Sequence, residues 1–409
     1  MTAASHKELR LLVVTQQFPQ GSAEAFLAPE LSEMKKRVGA LILVPRSPGS
    51  KVVHGDAAEF LPDAHVRKLV SGEILGVAIR TIARRPVAFL KVLGLLLRSR
   101  NPAMFMRNLG VLPKGLWLGA LTQELKVDHI HCHWAATVST MAIIASTVAD
   151  VPWSLSTHRW DIVENNLLRE KSRSARFVRF ISRSGVQLAK GNLSADANCQ
   201  VIHLGVSAKP LVEPTSQNRT FTVLCAANLI EVKGHRYLLT AVAELIRNGD
   251  AVRLLVAGKG VLRQSLEQQA EQLGIASSVD FLGVVPHERL LDTYARGEID
   301  VVVLPSVDLG NGHHEGIPVS LMEAMSFGIP VVSTSTGGIP ELLGEGAGVL
   351  VPPADAPALA GALRELATNS QRAAEVGMRG RARVSSEFSA VDGAARLLEL
   401  IQPTDGSKA

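Results

Sequence analysis

Cysteine is scarce: three residues, Cys132, Cys199 and Cys225, occur in 409. They lie too far apart for metal-ligand spacing and form no obvious disulfide framework, so reduced thiols in a cytoplasmic setting are the plain reading. Aromatics make up 4% of the chain, and nothing has the form of a zinc finger or an RNA-binding signature. Nucleic acid is therefore not expected as a partner. No apolar run is long enough to span a bilayer. The opening "MTAASHKELRLLVVTQQFP" is a polar start followed by a short run that reads as a first strand, not a signal peptide. Glycine and proline are too few for a disordered or collagenous chain. A length of 409 residues suits two domains.

Acidic residues are nearly missing from one stretch. Between positions 67 and 114 stand Arg67, Lys68, Arg80, Arg84, Arg85, Lys91, Arg98, Arg100, Arg107 and Lys114, opposed only by Glu73. Such a block points to an anionic partner, membrane lipid or phosphate ahead of nucleic acid. Its sequence, "SGEILGVAIRTIARRPVAFLKVLGLLLRSR" from Ser71, has apolar residues at helical spacing with cations between them. It reads as a helical insertion over about 65–115, split in two at Pro86.

Elsewhere short apolar runs alternate with helical patterns, the rhythm of parallel strands joined by crossover helices. Strands are expected at 9–19, 40–48, 129–135, 153–158, 176–184 and 199–206. The polar, proline-bearing "SAKPLVEPTSQNRT" from Ser207 is the linker candidate. The rhythm then restarts with strands at 221–230, 252–258, 279–285, 300–306 and 329–335. Helices are expected around 235–248, 261–273, 287–296 and 318–327. Two such α/β domains facing each other would make a cleft, with chemistry at the carboxyl ends of strands. The His131 and His133 side chains, along one strand, are taken to face opposite ways.

The most informative stretch is "HHEGIPVSLMEAMSFGIPVVSTSTGGIPE", from His313 to Glu341. Pro318 suits the first position of a helix, where its missing amide hydrogen costs nothing; Gly328 and Pro330 end that helix. Glu315 then sits just before the helix and Glu323 more than one turn inside it. Amides near Gly316 and Ile317 could face an anion. A helix start near phosphate, with carboxylates to accept hydrogen bonds from hydroxyls, suits a phosphorylated sugar.

Glu315, seven residues, then Glu323 within this stretch resembles the signature of family 4, the large family of retaining glycosyltransferases of GT-B fold. "ANLIEVKGHRYLLTA" (227–241) resembles the family's donor-phosphate segment, "LLVAGKGVLRQSL" (254–266) its glycine turn, and "FLGVVPHERLLDTYARGEIDVVVLPS" (281–306) its base-binding strand and helix. In the first half, "FPQGSAEAFLAPEL", "DHIHCHWA" and "LSTHRWDI" are weaker members of the same pattern. The resemblance implies an α/β chain with a GT-B fold, two Rossmann-like domains facing a central cleft. Its acceptor-binding domain would be 1–207 and its nucleotide-sugar domain 208–385, with a helix over 386–402 crossing back to the first. It further implies transfer of a hexose from a nucleotide diphosphate sugar to a sugar or lipid-linked acceptor hydroxyl, with retention of configuration, as in polysaccharide or glycolipid assembly.

By the same resemblance Glu315 would contact the donor sugar and His158 would face it as a second catalytic residue. Lys233 would bind the diphosphate, Glu323 the ribose, and Gly283 with Val284 the base. Gly316, Ile317 and Pro318 would support sugar and phosphate. Glu24 could reach a ligand or merely start a helix. Asn228 departs from the pattern: it stands where the family usually has arginine, so part of the leaving-group clamp is missing. Lys259 or Arg263 could supply the charge. Other readings are a nucleotide-sugar epimerase of the same fold and a catalytically silent donor-binding subunit. No Asp-x-Asp triplet occurs to hold a divalent ion on a sugar diphosphate, so no metal and no cofactor are expected. A basic surface over 67–114 would place the chain in the cytoplasm, held peripherally at the inner membrane face.

Overall fold

Every strand in both halves of the chain runs parallel to its neighbours. The computed structural model describes residues 6–21, 24–49, 55–212 and 220–402. Residues 1–5 of the opening segment, 22–23 of the "FPQGSAEAFLAPEL" motif and 213–219 of the linker candidate lie outside that range. The chain forms two compact units: Met1–Leu204 with Ala390–Ala409, and Gly205–Ser389.

The first unit holds strands β1 (His6–Thr15), β2 (Val38–Pro45), β3 (His129–His133), β4 (Trp153–Thr157), β5 (Val178–Phe180) and β6 (Cys199–Val201), in the order β2-β1-β3-β4-β5-β6. All residues of β3, β4 and β5 are buried, as expected where crossover helices cover both faces of a parallel sheet. The run from 176 to 184 is shorter as a strand than its apolar content suggests. Ser182 accepts from the Gly185 amide at 3.0 Å and starts helix Arg183–Ala189, because a serine at that place offers the free amides a partner. Helix Ala390–Ile401 packs Ala394, Leu397, Leu398 and Ile401 against Leu27, Leu31 and Met34 of the first unit. Beneath it Arg179 and Glu30, both fully buried, pair through two 2.6 Å bonds, and Arg179 also donates to the Ile202 and His203 carbonyls. A buried pair with four of the five guanidinium N–H donors bonded avoids the penalty of an uncompensated charge, about 3–5 kcal/mol.

The basic stretch is helical, with Gly72–Arg84, Pro86–Leu96 and Pro102–Glu124 in succession. The first break falls at Arg85, ahead of Pro86, whose ring cannot continue the preceding turn. The ten cations do not form one surface. Lys114 is fully buried and donates to the carbonyls of Pro45, Arg46 and Arg67 at 2.6–2.9 Å. Arg67 pairs with Glu73 and Arg107 with Glu164. Lys68, Arg80, Arg84, Arg85, Lys91, Arg98 and Arg100 are left exposed.

The second unit holds β7 (Phe221–Ala226), β8 (Val252–Ala257), β9 (Val279–Gly283), β10 (Val301–Leu304), β11 (Val331–Thr334) and β12 (Val349–Val351), ordered β12-β11-β10-β7-β8-β9. Counted from β7 as first, this is the doubly wound dinucleotide-binding order, which reverses direction between β7 and β10. Strand β12 was not among the sequence candidates; three residues between turns carry no readable period.

Candidate active site

In a doubly wound sheet, ligands sit beyond the carboxyl ends of the strands where the order reverses. Two loops leave that point in the second unit. The loop after β7 makes a short 3-10 turn, Glu231–Lys233, and then helix His235–Arg247. The loop after β10 runs from Pro305 to helix Val319–Ser326. They are joined by the Val307 amide donating to the Val232 carbonyl at 2.9 Å. Gly234, with φ +67°, brings its backbone so close to the Pro305 carbonyl that a Cβ there would overlap it. Only glycine fits both the left-handed conformation and that approach. The result brings Lys233 Nζ to 2.5 Å from Glu315 Oε2, with both side chains largely buried. Ser306 Oγ donates to the same carboxylate oxygen at 3.3 Å.

Glu315 is fixed from its far side by "TGGIPE". Gly337 has φ +55°, and a Cβ on it would collide with the Glu315 carbonyl and His314 Nδ1. The Gly338 amide donates to that same carbonyl at 3.2 Å, and His314 Nδ1 lies 2.9 Å from it. Gly316 presents its carbonyl 2.9 Å from where a Gly338 Cβ would be, and Ile317 is buried. This role of the glycine pair was missed in the sequence, although the motif was noted; consecutive glycines after a strand are its signal. Pro318 is not the first helical residue. Its ψ of 117° is extended, it caps the helix, and its carbonyl accepts from Leu321 and Met322.

The other donor-side candidates lie in the same unit. Asn228 is exposed on the loop after β7, and the loop after β8 packs on that segment, Gly258 against the Ala227 carbonyl and Gly260 against that of Leu229. Lys259 is exposed between those glycines. Arg263 is committed elsewhere, to Glu267 at 2.8 Å and to the Phe281 carbonyl at 3.2 Å. Gly283 closes β9 with φ +68°, and Val284 beyond it is 60% exposed. Glu323 accepts from His287 Nε2 at 2.7 Å, a partner the sequence did not suggest. A cavity of about 460 Å³ lies on the other side of the Lys233 turn, lined by Glu231, Gly234, His235, Leu262 and Leu309 among others. Neither Lys233, Glu315 nor Glu323 lines it. Among the described residues no group of three or more His, Cys, Asp or Glu is arranged to hold a metal ion.

In the first unit His158 follows β4 and is buried. Asp161 accepts from the amides of His158, Arg159 and Ala135 at 2.6–3.1 Å and so sets the turn that carries the imidazole. His158 packs on Trp134, ring centres 4.2 Å apart, and its Nε2 lies 3.2 Å from His133 Nδ1. His131 and His133 share one face, with ring centres 5.1 Å apart, contrary to expectation. Residues two apart on a strand point the same way. Glu24 stands at the start of the short 3-10 helix Ala25–Leu27, though its side chain does not cap it and is not open to a ligand. It is buried, and its oxygens accept from the amides of Gln16, Gln17 and Phe18 and from Trp134 Nε1. Burial holds His129 down at about 3, and His131, His133 and His158 lie well below the usual histidine range for the same reason.

Two parallel sheets, one of doubly wound order with a lysine and a carboxylate at its switch point, define a two-unit α/β protein. Residues 212–383 match the family described as glycosyl transferases group 1. The amylovoran biosynthesis glycosyltransferase AmsK of Erwinia amylovora is 35% identical over 184 residues, which cover 44% of each chain. A GDP-mannose-dependent monoacylated alpha-(1-6)-phosphatidylinositol monomannoside mannosyltransferase of Corynebacterium glutamicum is 24% identical over 307 residues, 70% of this chain and 79% of that one. The crystal structure of Anabaena Alr3699/HepE in complex with UDP superposes with a TM-score of 0.70 at 19% identity, covering 96% and 99% of the two chains. The fold is the GT-B fold of glycosyltransferases, and residues 212–383 carry the glycosyl transferases group 1 domain.

Two outcomes follow from this geometry. Gly337→Ala should lower the melting temperature and move the Glu315 backbone in a crystal structure; an unmoved Glu315 at unchanged stability would refute the packing role. The buried histidines are neutral when folded and take up protons below about pH 6.5 when unfolded. Their contribution is therefore intact above that pH and is lost as pH falls toward the folded values, by up to about 1.4 kcal/mol per pH unit for each proton. The buried Lys114 and Lys171, held at about 7 by burial, differ from the unfolded chain mainly above this window. Urea unfolding between pH 7 and 5 should show the slope, and His129→Leu should reduce it. A flat profile would contradict the assignment.

Proposed function

We propose that this chain transfers a hexose from a nucleotide diphosphate sugar to an acceptor hydroxyl, with retention of anomeric configuration, in polysaccharide or glycolipid assembly. One observation carries the reading: Lys233 and Glu315 meet at 2.5 Å beyond β7 and β10, at the reversal point of a dinucleotide-type sheet. Support for the donor comes from the UDP in the Anabaena structure and the GDP-mannose in the corynebacterial relative's name. That relative acts on a phosphatidylinositol mannoside and the Erwinia one in amylovoran biosynthesis, which supports a saccharide acceptor that is lipid-linked.

In this reading Lys233 binds the diphosphate and stabilises the charge that grows on it as the sugar departs. Glu315 accepts hydrogen bonds from sugar hydroxyls, Glu323 holds the ribose, and Gly283 with Val284 border the base. Gly316, Ile317 and Pro318 form the floor beneath sugar and phosphate. His158 enters through the family resemblance alone. Retention by double displacement needs a carboxylate nucleophile. With Glu323 held by His287 and assigned to the ribose, and Glu315 assigned to the sugar hydroxyls, no carboxylate is left over as nucleophile, so attack on the face of the departing diphosphate is the better reading, a phosphate oxygen taking the acceptor proton. Lys233 serves as the cation in place of a metal ion.

The reading is tested with purified protein, a panel of nucleotide sugars and saccharide acceptors, products being followed by mass and by anomeric coupling in NMR. Glu315→Gln should lower kcat about 100-fold or more with folding intact, and Lys233→Ala should raise the donor Kd. Full activity in Glu315→Gln, or a trapped glycosyl-enzyme adduct, would overturn the site or the mechanism. A chelator should leave turnover unchanged; loss of activity restored by Mg²⁺ or Mn²⁺ would overturn the metal-free reading. Asn228, neutral and exposed, supports a second reading as a silent donor-binding subunit. Nucleotide sugars would then raise the melting temperature with no product formed.

A further inference from the structure

The surface of helix Pro86–Leu96 does not suit water. Its inward face places Val92 and Leu96 in the core, as an amphipathic helix should. Its outward face repeats the pattern: Val87, Leu90 and Leu97 are 64–68% exposed and, with Gly94, fall at intervals of three and four, one stripe of a helix. A helix apolar on both sides is normally covered on both sides. Ile79 of the preceding helix is 67% exposed as well. Among the described residues, seven of the seventeen exposed large apolar side chains lie between Val70 and Met106, about a tenth of the chain. Scattered exposed leucines need no explanation, but a cluster of this kind does.

Charge complementarity says what covers it. Arg84 and Arg85 stand at the start of the helix, Lys91 beside the stripe and Arg98 at its end, all exposed. None has a carboxylate partner among the described residues; Glu73, the only acid of the segment, is taken by Arg67. Apolar side chains bordered by long-stemmed cations match an anionic bilayer surface, where the stems follow the apolar residues down and the charges remain among the headgroups. Among the described residues no helix is long and apolar enough to cross a membrane, so the contact is one of lying on the surface. We propose that helix Pro86–Leu96, with Ile79, docks the first unit on anionic lipid. This deepens the reading of a lipid-linked acceptor and rests on it only for its purpose; the docking itself requires no transfer chemistry.

Co-sedimentation of the full chain tests it, with phosphatidylcholine vesicles and with vesicles containing 30% phosphatidylglycerol. The protein should pellet with the anionic vesicles only and be released by 0.5 M NaCl. Arg84→Gln with Arg85→Gln should lower the partition coefficient roughly tenfold or more, about fivefold being expected per charge near the surface. Leu90→Glu, at an exposed position, should abolish binding with the melting temperature unchanged. Equal binding to both vesicle types, binding to neither, or wild-type binding by Leu90→Glu would overturn the proposal. So would light scattering that shows a dimer dissociated by Leu90→Glu with no vesicle binding, since a second copy would then cover the stripe. Transfer to a water-soluble acceptor should be unaffected by Leu90→Glu. Absence of transfer in the wild type alongside vesicle binding would remove the transferase reading and leave the docking in place.

Discussion

The ion pair between Lys233 and Glu315 is the constraint on which the rest of the second unit turns. Each group is largely withdrawn from water, and a charge in that position is costly unless it has a partner. Neither can therefore be placed without the other, and the two come from loops 82 residues apart in sequence. The sheet solves the placement by pairing β7 directly with β10. The loops are then tied by the bond between Val307 and Val232 and the contact of Gly234 with Pro305. Beneath Glu315, Gly337 and Gly338 supply a surface with no side chains. Substituting any of these glycines would act on the pair through the backbone, by forcing it apart.

The first unit fixes its polar groups by a different route. Glu24 and Asp161 are buried carboxylates satisfied chiefly by backbone amides, and the buried Lys171 donates to the carbonyls of Ala135 and Ala136. These bonds position turns, and the turns position His133, Trp134 and His158. Burial keeps those imidazoles neutral, so each can both donate and accept a hydrogen bond near neutral pH. A buried, neutral histidine on a turn held by carboxylate-to-amide bonds is preorganised without carrying charge.

Much of this was legible in the sequence, and the reason is periodicity. Parallel strands buried on both faces appear as short apolar runs, and Gly328 and Pro330 punctuate the helix after Glu315 without ambiguity. Elements too short to show a period were lost or overextended, β12 and β5 among them. The Glu-x7-Glu spacing with Gly-Ile-Pro between put Glu315 ahead of a helix and Glu323 inside it, which is where the structure has them. What could not be read was mutual packing: that Gly337 touches Glu315, that His287 holds Glu323, and that Lys114 leaves the basic surface for the interior. Those contacts join segments distant in sequence, and nothing local to either partner encodes them. The misplacement of His131 against His133 was of another kind, an error in applying the two-residue period of a strand, whose rule was available all along.

The substitution at 228 bears on how the site is charged. Lys233 and Glu315 neutralise each other, and Asn228 adds no charge. The helix starts at His235 and Val319 add positive potential, about half a charge each. On the proposed function a diphosphate therefore gains most by taking Lys233 away from Glu315, which frees the carboxylate for the sugar hydroxyls. The exchange keeps both side chains partnered at every stage. A second cation at 228 would attract the diphosphate without requiring that exchange. On the proposed function, asparagine there makes donor binding and the release of Glu315 one event, with the carboxylate available only when a sugar diphosphate is present to use it.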